Sequence, residues 1–251
     1  MKSMQQKASN LFRLGLLLTG GGAKLRRAAA GVGQGGVSEE TLAGAGIGEA
    51  TIAAARRFAE SEAQTALERA VRAGWRWIVP GDGEYPEQLA EITDPPLGLF
   101  VRGRMSSAPA VAIVGSRQAT PYGLQVAALL AGELGRAGVV VVSGMARGID
   151  KAAHRGALDH HGQTWAVWGT GPDRVYPPEH VGLAEEIAET GALLTEYPPG
   201  TPPRRHHFPQ RNRILAGLSR AVVVVEAAAR SGALVTARLA SEEGRDVLAV
   251  L

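Results

Sequence analysis

The chain has 251 residues, of which 45% are hydrophobic, so it can bury the core of one large domain together with a smaller one. Charged residues make up 20% and aromatic residues 5%, a balance that indicates neither disorder nor an aromatic-lined β-protein. The absence of cysteine excludes disulfides, thiolate metal sites and cysteine nucleophiles, and it fits the reducing cytoplasm where we expect the protein to work.

The net charge of +3 is distributed unevenly along the chain. Residues 1–75 carry 10 lysines and arginines against 6 acidic residues, whereas residues 76–251 carry 17 against 18. Any anion-binding site in the larger part must therefore be local. Arginine outnumbers lysine by 23 to 4. This bias favours phosphate recognition, because a guanidinium group grips phosphate at two points, although a GC-rich genome would produce the same bias.

Residues 1–74 are predicted to form a small helical domain with glycine-rich turns. The turn at 18–24 leads into a helix that carries Arg26 and Arg27, and the turn at 42–48 leads into a helix from 49 to 73. A glycine hairpin between helices can present backbone N–H groups to a phosphate, as helix-hairpin-helix domains do. A sterile-alpha-like interaction module, or turns with a purely structural role, would have the same pattern.

The apolar patch at residues 14–18 is too short to span a membrane and lacks the small-residue cleavage site of a signal peptide. We therefore expect no membrane segment.

Residues 75–251 are predicted to form an α/β domain. A strand at 75–79 and an extended stretch at 97–101 belong to a connector, and from residue 110 apolar runs alternate with helical stretches. The runs lie at 110–114, 139–142, 164–168, 192–195, 221–225 and 247–250, and the helices near 121–137, 150–161, 179–189, 210–218 and 232–243. Continuous Val/Ile/Ala runs with helices between them predict a doubly wound, Rossmann-like parallel sheet covered on both faces. Ligands of such sheets bind beyond the carboxyl ends of the strands.

Two loops at predicted strand ends carry phosphate-binding chemistry. Gly115, Ser116 and Arg117 combine a tight turn, a hydroxyl and a cation next to a helix that begins near residue 121, which together predict a phosphate cradle. The second loop, 143–150, begins with Ser143 and Gly144 and contains Arg147, which is expected to face an anion.

Two further residues of the second loop and its helix are predicted to be structural. Asp150 is expected to cap the helix that follows, and His154, one turn later, could pair with it.

The stretch 201–213 is the most informative. It holds four arginines and two histidines with no acid, and Phe208 lies within it. Cations that grip the backbone and an aromatic ring that stacks on a base serve sequence-independent binding of single strands. A solvated basic surface is the alternative, but such a surface needs no Phe208.

Another loop, 169–178, is rich in proline and is predicted to be a lid or spacer. Ser231 and Gly232 open the last helix, where small residues allow close approach.

Several enzyme signatures are absent. No G-x-G-x-x-G follows the first strand of the parallel series, no acid ends the second to hold a ribose, and no P-loop or G-x-S-x-G elbow is present. His206 and His207 are adjacent and point apart, which makes a poor metal pair. Carboxylates do not cluster near the candidate loops. We therefore expect a binding protein without catalytic residues, metal or cofactor.

These motifs together resemble the DprA/Smf family of DNA-processing proteins, from about Trp75 to the end of the chain. The resemblance rests on D-G-E-Y-P at 82–86, D-P-P at 94–96, L-F-V-R-G at 99–103, V-A-I-V-G-S-R at 111–117, S-G-M-A-R-G-I-D at 143–150 with Ala153 and His154, F-P-Q-R-N-R-I-L-A-G-L-S at 208–219 and Glu226 with Ala227. Two departures are a looser glycine pattern at 169–172 and the end at residue 251. Family members usually continue with Pro-Gly and often a winged-helix domain, so the resemblance implies a truncated chain.

The resemblance implies a dimer that binds incoming single-stranded DNA, protects it and helps to load a RecA-type recombinase in natural transformation. It carries DNA contacts over to Arg117, Arg205 and Phe208, and a usually basic position to Arg147. The complete set of predicted DNA- or phosphate-binding residues is Gly115, Ser116, Arg117, Ser143, Gly144, Arg147, Arg205, Phe208, Arg211, Asn212, Ser231 and Gly232.

Two alternatives use the same fold. One is a nucleotide phosphoribohydrolase similar to the Lonely-Guy family, although its Pro-Gly-Gly-x-Gly-Thr loop is missing at 226–232. The other is a mononucleotide-binding module.

Overall fold

The computed structural model describes residues 2–20, 22–30 and 37–250, so Gly21 of the first glycine-rich turn and Leu251 lie outside the described residues. The strands are β1 (Arg76–Ile78), β2 (Leu99–Gly103), β3 (Ala110–Gly115), β4 (Val140–Ser143), β5 (Thr164–Trp168), β6 (Ala192–Thr195), β7 (Ala221–Val225) and β8 (Asp246–Ala249). The helices are α1 (Lys2–Leu18), α2 (Ala23–Ala30), α3 (Glu39–Gly44), α4 (Glu49–Glu60), α5 (Glu62–Arg72), α6 (Glu87–Ala90), α7 (Pro121–Arg136), α8 (Ile149–Asp159), α9 (Val181–Thr190), α10 (His207–Leu218) and α11 (Gly232–Glu242), with a 3₁₀ turn at Pro178–His180.

The strands form one sheet in the order β1-β2-β6-β5-β4-β3-β7-β8. The six strands β3 to β8 are mutually parallel, which confirms the predicted Rossmann-like α/β fold. The connector strands β1 and β2 extend that sheet in antiparallel orientation, so the sheet as a whole is mixed. The chain winds outward from β3 through β6 and then returns to place β7 on the other side of β3. This reversal opens a crevice at the carboxyl ends of β3 and β7.

Helices on both faces explain why the central strands are continuous apolar runs. Every residue of β4 and β5 is buried. Ile214 and Leu215 of α10 pack on one face, whereas Ala127 of α7 and Ala153 of α8 pack on the other. Apolar residues therefore do not alternate with polar ones in the central strands, because both faces of the sheet are buried.

The N-terminal helices pack against the sheet. α1 lies so close to α4 that a Cβ on Gly15 would stand 2.3 Å from the backbone oxygen of Ala55. Leu14 shares a buried cluster with Trp75 and Trp168, whose rings meet edge to face at 5.2 Å. None of the helices in the described ranges is long and apolar enough to cross a membrane.

One expectation for the helical part changes, and one of its arginines is paired with the sheet domain. The helix predicted from 49 to 73 breaks at Ser61, whose backbone (φ −127°, ψ −75°) leaves the helical region and separates α4 from α5. Arg26, which follows the first glycine-rich turn, binds Asp94 through two hydrogen bonds of 2.8 and 2.6 Å. Asp94 also meets Arg213 at 3.2 Å, so this network ties α2 to the sheet domain.

Candidate functional site

A cavity of about 380 Å³ opens at the carboxyl ends of the strands, where β3 and β7 lie side by side. Nine of the twelve residues predicted from the sequence line it together: Gly115, Ser116, Arg117, Arg205, Phe208, Arg211, Asn212, Ser231 and Gly232. They come from three separate stretches of the chain. The topology therefore brings these separate motifs to one place.

The loop after β3 is held rigidly. A Cβ on Gly115 would stand 1.9 Å from the backbone oxygen of Val225, so only glycine fits there. The Ser116 N–H donates to the Glu226 backbone oxygen at 2.8 Å, and the Ser116 hydroxyl accepts from the Gln118 N–H at 3.1 Å. These bonds place Arg117 at the exposed rim of the cavity, with its guanidinium carbon 5.5 Å from the centre of the Phe208 ring.

A carboxylate occupies the start of α7, where the sequence predicted a phosphate. Thr120 caps this helix, and its backbone N–H donates to a Glu226 carboxylate oxygen at 2.8 Å while its hydroxyl bonds the other oxygen. The hydrogen bond from the Thr120 hydroxyl is the main cause that lowers the pKa of Glu226. The phosphate cradle can therefore use the loop after β3 but not the N-terminus of α7.

The loop after β4 supports the cavity from behind. Ser143 is fully buried and donates its hydroxyl to the Ile113 backbone oxygen at 2.7 Å, so its side chain does not face the cavity. Gly144 leaves room for the guanidinium of Arg211, whose Nη1 would lie 2.1 Å from a Cβ at that position. Arg147 points outward and pairs with Glu179, with Nε and Oε1 2.5 Å apart.

Asp150 does not cap its helix as predicted, because Gly148 is the N-cap residue of α8. The Asp150 carboxylate instead accepts the backbone N–H groups of Gly144 (3.1 Å) and Ala146 (3.2 Å), which fixes the preceding loop. Burial raises the pKa of Asp150. Asp150 also lines the cavity, where the sequence had not placed it.

His154 is buried as expected but bonds Thr164, not Asp150. Its Nδ1 lies 2.7 Å from the Thr164 hydroxyl, which donates to the Val141 backbone oxygen. The hydroxyl therefore accepts, and Nδ1 carries the proton. Burial lowers the pKa of His154 to about 3.

This low pKa predicts a stability that falls with acidification. The unfolded chain takes up a proton near the ordinary histidine pKa of about 6.5, whereas folded His154 does so only near about 3. The contribution of His154 to stability is thus complete above about pH 6.5 and is lost progressively below it. Urea unfolding at several pH values gives the free energy of unfolding as a function of pH. Its slope against pH below about pH 6.5 should be shallower in His154→Gln than in the parent. Equal slopes would contradict this assignment.

The basic stretch 201–213 divides on folding into residues with different surroundings. Phe208, Arg211 and Asn212 share one face of α10 because they are three and four residues apart, and that face lines the cavity. Arg211 is 3% exposed and donates through Nη1 to the Val167 backbone oxygen. Burial lowers its pKa to about 10. Arg205 stays exposed at the rim, whereas Arg213 points away and is buried in the network with Asp94.

The N-terminus of α11 lies at the cavity and can attract an anion, which the N-terminus of α7 cannot do. Ser231 is its N-cap residue, and the hydroxyl accepts the Leu234 N–H at 3.4 Å. Gly232 is exposed at the cavity, and its backbone oxygen accepts from the Asn212 side chain at 3.1 Å. The first turn of a helix leaves N–H groups without intrahelical partners, which favours an anion there.

Sequence reasoning missed Tyr176. Its ring lies 5.5 Å from that of Phe208 and extends the aromatic wall, although the loop 169–178 was predicted to be a lid or spacer. The aromatic residue in a loop that follows a buried strand was the available signal.

His207 stacks on Tyr197 at 4.2 Å, and no group of three or more potential metal ligands occurs within the described residues.

Comparisons with known proteins agree on one family. Residues 76–251 match the family DNA recombination-mediator protein A. Protein Smf of Synechocystis sp. is 45% identical over 181 residues, which are 70% of this chain and 46% of that protein. DNA processing protein DprA of Bacillus subtilis is 45% identical over 170 residues, 66% of this chain and 57% of that protein. The chain thus spans about half the length of these curated relatives.

Two solved structures are similar. That of DNA processing protein A from Streptococcus pneumoniae aligns with a TM-score of 0.83 and 32% identity, covering 96% of this chain and 86% of the other. That of DNA processing protein A from Helicobacter pylori, described for its single-stranded DNA binding mode, aligns with a TM-score of 0.63 and 31% identity. It covers 70% of this chain and 80% of the other.

Proposed function

The chain belongs to the DNA recombination-mediator protein A family. From this membership we propose that the cavity at the carboxyl ends of β3 and β7, the carboxyl-edge cavity, binds single-stranded DNA. The observation that carries the proposal is the meeting of two exposed cations, Arg117 and Arg205, with the ring of Phe208 at one cavity. Cations hold the phosphates while the ring stacks on a base, and neither contact reads sequence. The single-stranded DNA binding mode described for the Helicobacter pylori relative supports the same role.

The charged groups at the rim and at the floor of the cavity suit different parts of a nucleotide. Arg117, Arg205 and the first turn of α11 are donors for phosphate at the rim. At the floor, the Asp150 carboxylate lies near the cation of Arg211, so the two charges offset each other and offer a phosphate little attraction, while the carboxylate can accept from a base N–H. Bases therefore enter the cavity, and phosphates stay outside. Arg147 can join the phosphate contacts when it leaves Glu179.

The finer parts of the proposal rest on the family. We propose that the protein acts without catalysis, metal or cofactor, as a homodimer in the cytoplasm. In this role it protects incoming DNA and helps to load a RecA-type recombinase during natural transformation. We also propose a helical domain of residues 1–74 and a Rossmann-like DNA-binding domain of residues 75–251, a division that the family match from residue 76 supports.

The test is fluorescence anisotropy of labelled oligo-dT across a salt series, with a duplex of equal length for comparison. We expect tight binding that prefers the single strand and weakens as salt rises. Arg117→Ala should weaken binding and reduce the salt slope by about 1, because one phosphate contact is lost. Arg136→Ala, at the far end of α7, is the matched control and should leave the slope unchanged. Absence of binding at low salt would overturn the proposal.

A further inference from the structure

The floor of the carboxyl-edge cavity includes three buried polar side chains, and one half of each is anchored to the backbone. One carboxylate oxygen of Asp150, Oδ2, accepts two backbone N–H groups of the loop after β4. The Nδ2 group of Asn212 donates to a backbone oxygen at the start of α11, and the Nη1 group of Arg211 donates to a backbone oxygen of β5. These bonds fix the direction in which the other half of each side chain points.

The other half of each side chain is open to the cavity. Asp150 Oδ1, Asn212 Oδ1 and Arg211 Nη2 make no hydrogen bond within the described residues. The Arg211 Nε is fully enclosed by protein, but these three atoms are not, and their residues line the cavity. A ligand in the cavity therefore meets two hydrogen-bond acceptors and one charged donor.

Guanine is the base whose Watson–Crick edge carries the complementary groups. Its O6 atom is an acceptor, and its N1–H and N2–H₂ groups are two neighbouring donors. Adenine and cytosine each present one amino group beside ring or carbonyl acceptors, and thymine presents one N–H between two carbonyl oxygens. Each of these three bases can therefore satisfy only one of the two acceptors at the floor of the cavity through that edge.

We propose that the floor of the carboxyl-edge cavity selects guanine in the bound strand. The N1–H and N2–H₂ groups of guanine donate to Asp150 Oδ1 and Asn212 Oδ1, while Arg211 Nη2 donates to O6. This selection rests on the proposed DNA site, where the cations of the rim and the ring of Phe208 hold a strand of any sequence. The floor then discriminates at the single base that enters, because another base leaves a buried acceptor without a partner.

The test is fluorescence anisotropy of labelled DNA strands that are abasic except for one central base, so that only this base can enter the cavity. The strand with guanine should bind at least about tenfold more tightly than the strand with adenine, because two donors meet the two acceptors. Hypoxanthine, which lacks only the 2-amino group of guanine, should give an intermediate affinity. Equal affinities of the three strands, with tight binding of oligo-dT, would refute guanine selection and leave the DNA site standing. Absence of oligo-dT binding would refute both.

Asp150→Asn tests the carboxylate in particular. The two backbone N–H groups still need an acceptor, so the carboxamide turns its oxygen to them and its NH₂ group to the cavity. The preference for guanine over adenine should then disappear, whereas the salt slope should stay that of the parent because the rim is unchanged.

Asp159→Asn is the matched control, because Asp159 is exposed at the far end of the same helix, α8. This variant loses the same charge and should keep the preference for guanine. Persistence of the preference in Asp150→Asn would contradict the role of Asp150. If circular dichroism shows that Asp150→Asn does not fold, the comparison of the three strands on the parent protein still decides the question.

Discussion

Replacing Phe208 with alanine should weaken the binding of single-stranded DNA by about 1–3 kcal/mol, which is roughly 5- to 150-fold in affinity. The ring forms a wall of the carboxyl-edge cavity between the guanidinium of Arg117 and the ring of Tyr176. Its loss removes the surface on which a base would stack, together with the aromatic contact that orients Arg117. Anisotropy of labelled oligo-dT at one fixed salt concentration measures the effect.

Phe208→Leu is the matched control, because leucine keeps most of the volume but has no aromatic face. It should bind nearly as weakly as Phe208→Ala if stacking is the cause, and much like the parent if Phe208 only fills space. The salt slope should stay that of the parent in both variants, since no phosphate contact is removed. Parental affinity in Phe208→Ala would exclude stacking on this ring.

Replacing Arg213 with alanine should destabilise the fold by about 3–5 kcal/mol, because the buried carboxylate of Glu196 loses its hydrogen-bonded cation. Arg213 is 8% exposed and Glu196 is 4% exposed. The Arg213 Nη2 donates to Glu196 Oε1 at 2.6 Å, and Nε donates to the Asp94 backbone oxygen at 2.7 Å. Arg26 lies 4.0 Å from the same Glu196 oxygen, too far to replace the lost hydrogen bond. Urea unfolding followed by circular dichroism measures the loss.

Arg238→Ala provides the comparison, because Arg238 forms an exposed ion pair with Glu242 at 3.7 Å. Exposed pairs of this kind contribute about 0–1 kcal/mol, so this variant should unfold almost as the parent does. Adding Glu196→Gln to Arg213→Ala should restore part of the stability, since it removes a buried charge that has lost its hydrogen-bonded partner. If Arg213→Ala unfolds like Arg238→Ala, the buried pair of Arg213 and Glu196 does not stabilise the fold.

The positions of the site were predictable because they depend on local pattern. Gly115 to Arg117 follow a buried apolar run, and the carboxyl ends of parallel strands meet at one edge of the sheet. Phe208, Arg211 and Asn212 follow one another at helical spacing. The edge at which these residues gather could therefore be inferred before any contact was known.

The partners of the polar groups were not predictable in the same way. Glu226 accepts hydrogen bonds from Thr120, the N-cap residue of α7, which lies 106 residues away, and Arg213 meets Asp94 119 residues away. Nothing near either residue in the chain marks such a contact. For the same reason, the contacts of Ser143 and Arg147 were not predicted. The Ser143 hydroxyl donates to the sheet backbone, and Arg147 forms an ion pair with Glu179.

The amino-acid sequence alone was enough to predict the α/β architecture, because strands buried on two faces require continuous apolar runs. It also determined which loops gather at the carboxyl edge. The antiparallel direction of β1 and β2 emerged only on folding. So did the division of the charged groups into those that pair in the interior and those that remain exposed at the rim. Burial and pairing of a charge depend on residues far away in the chain, and local pattern carries no record of them.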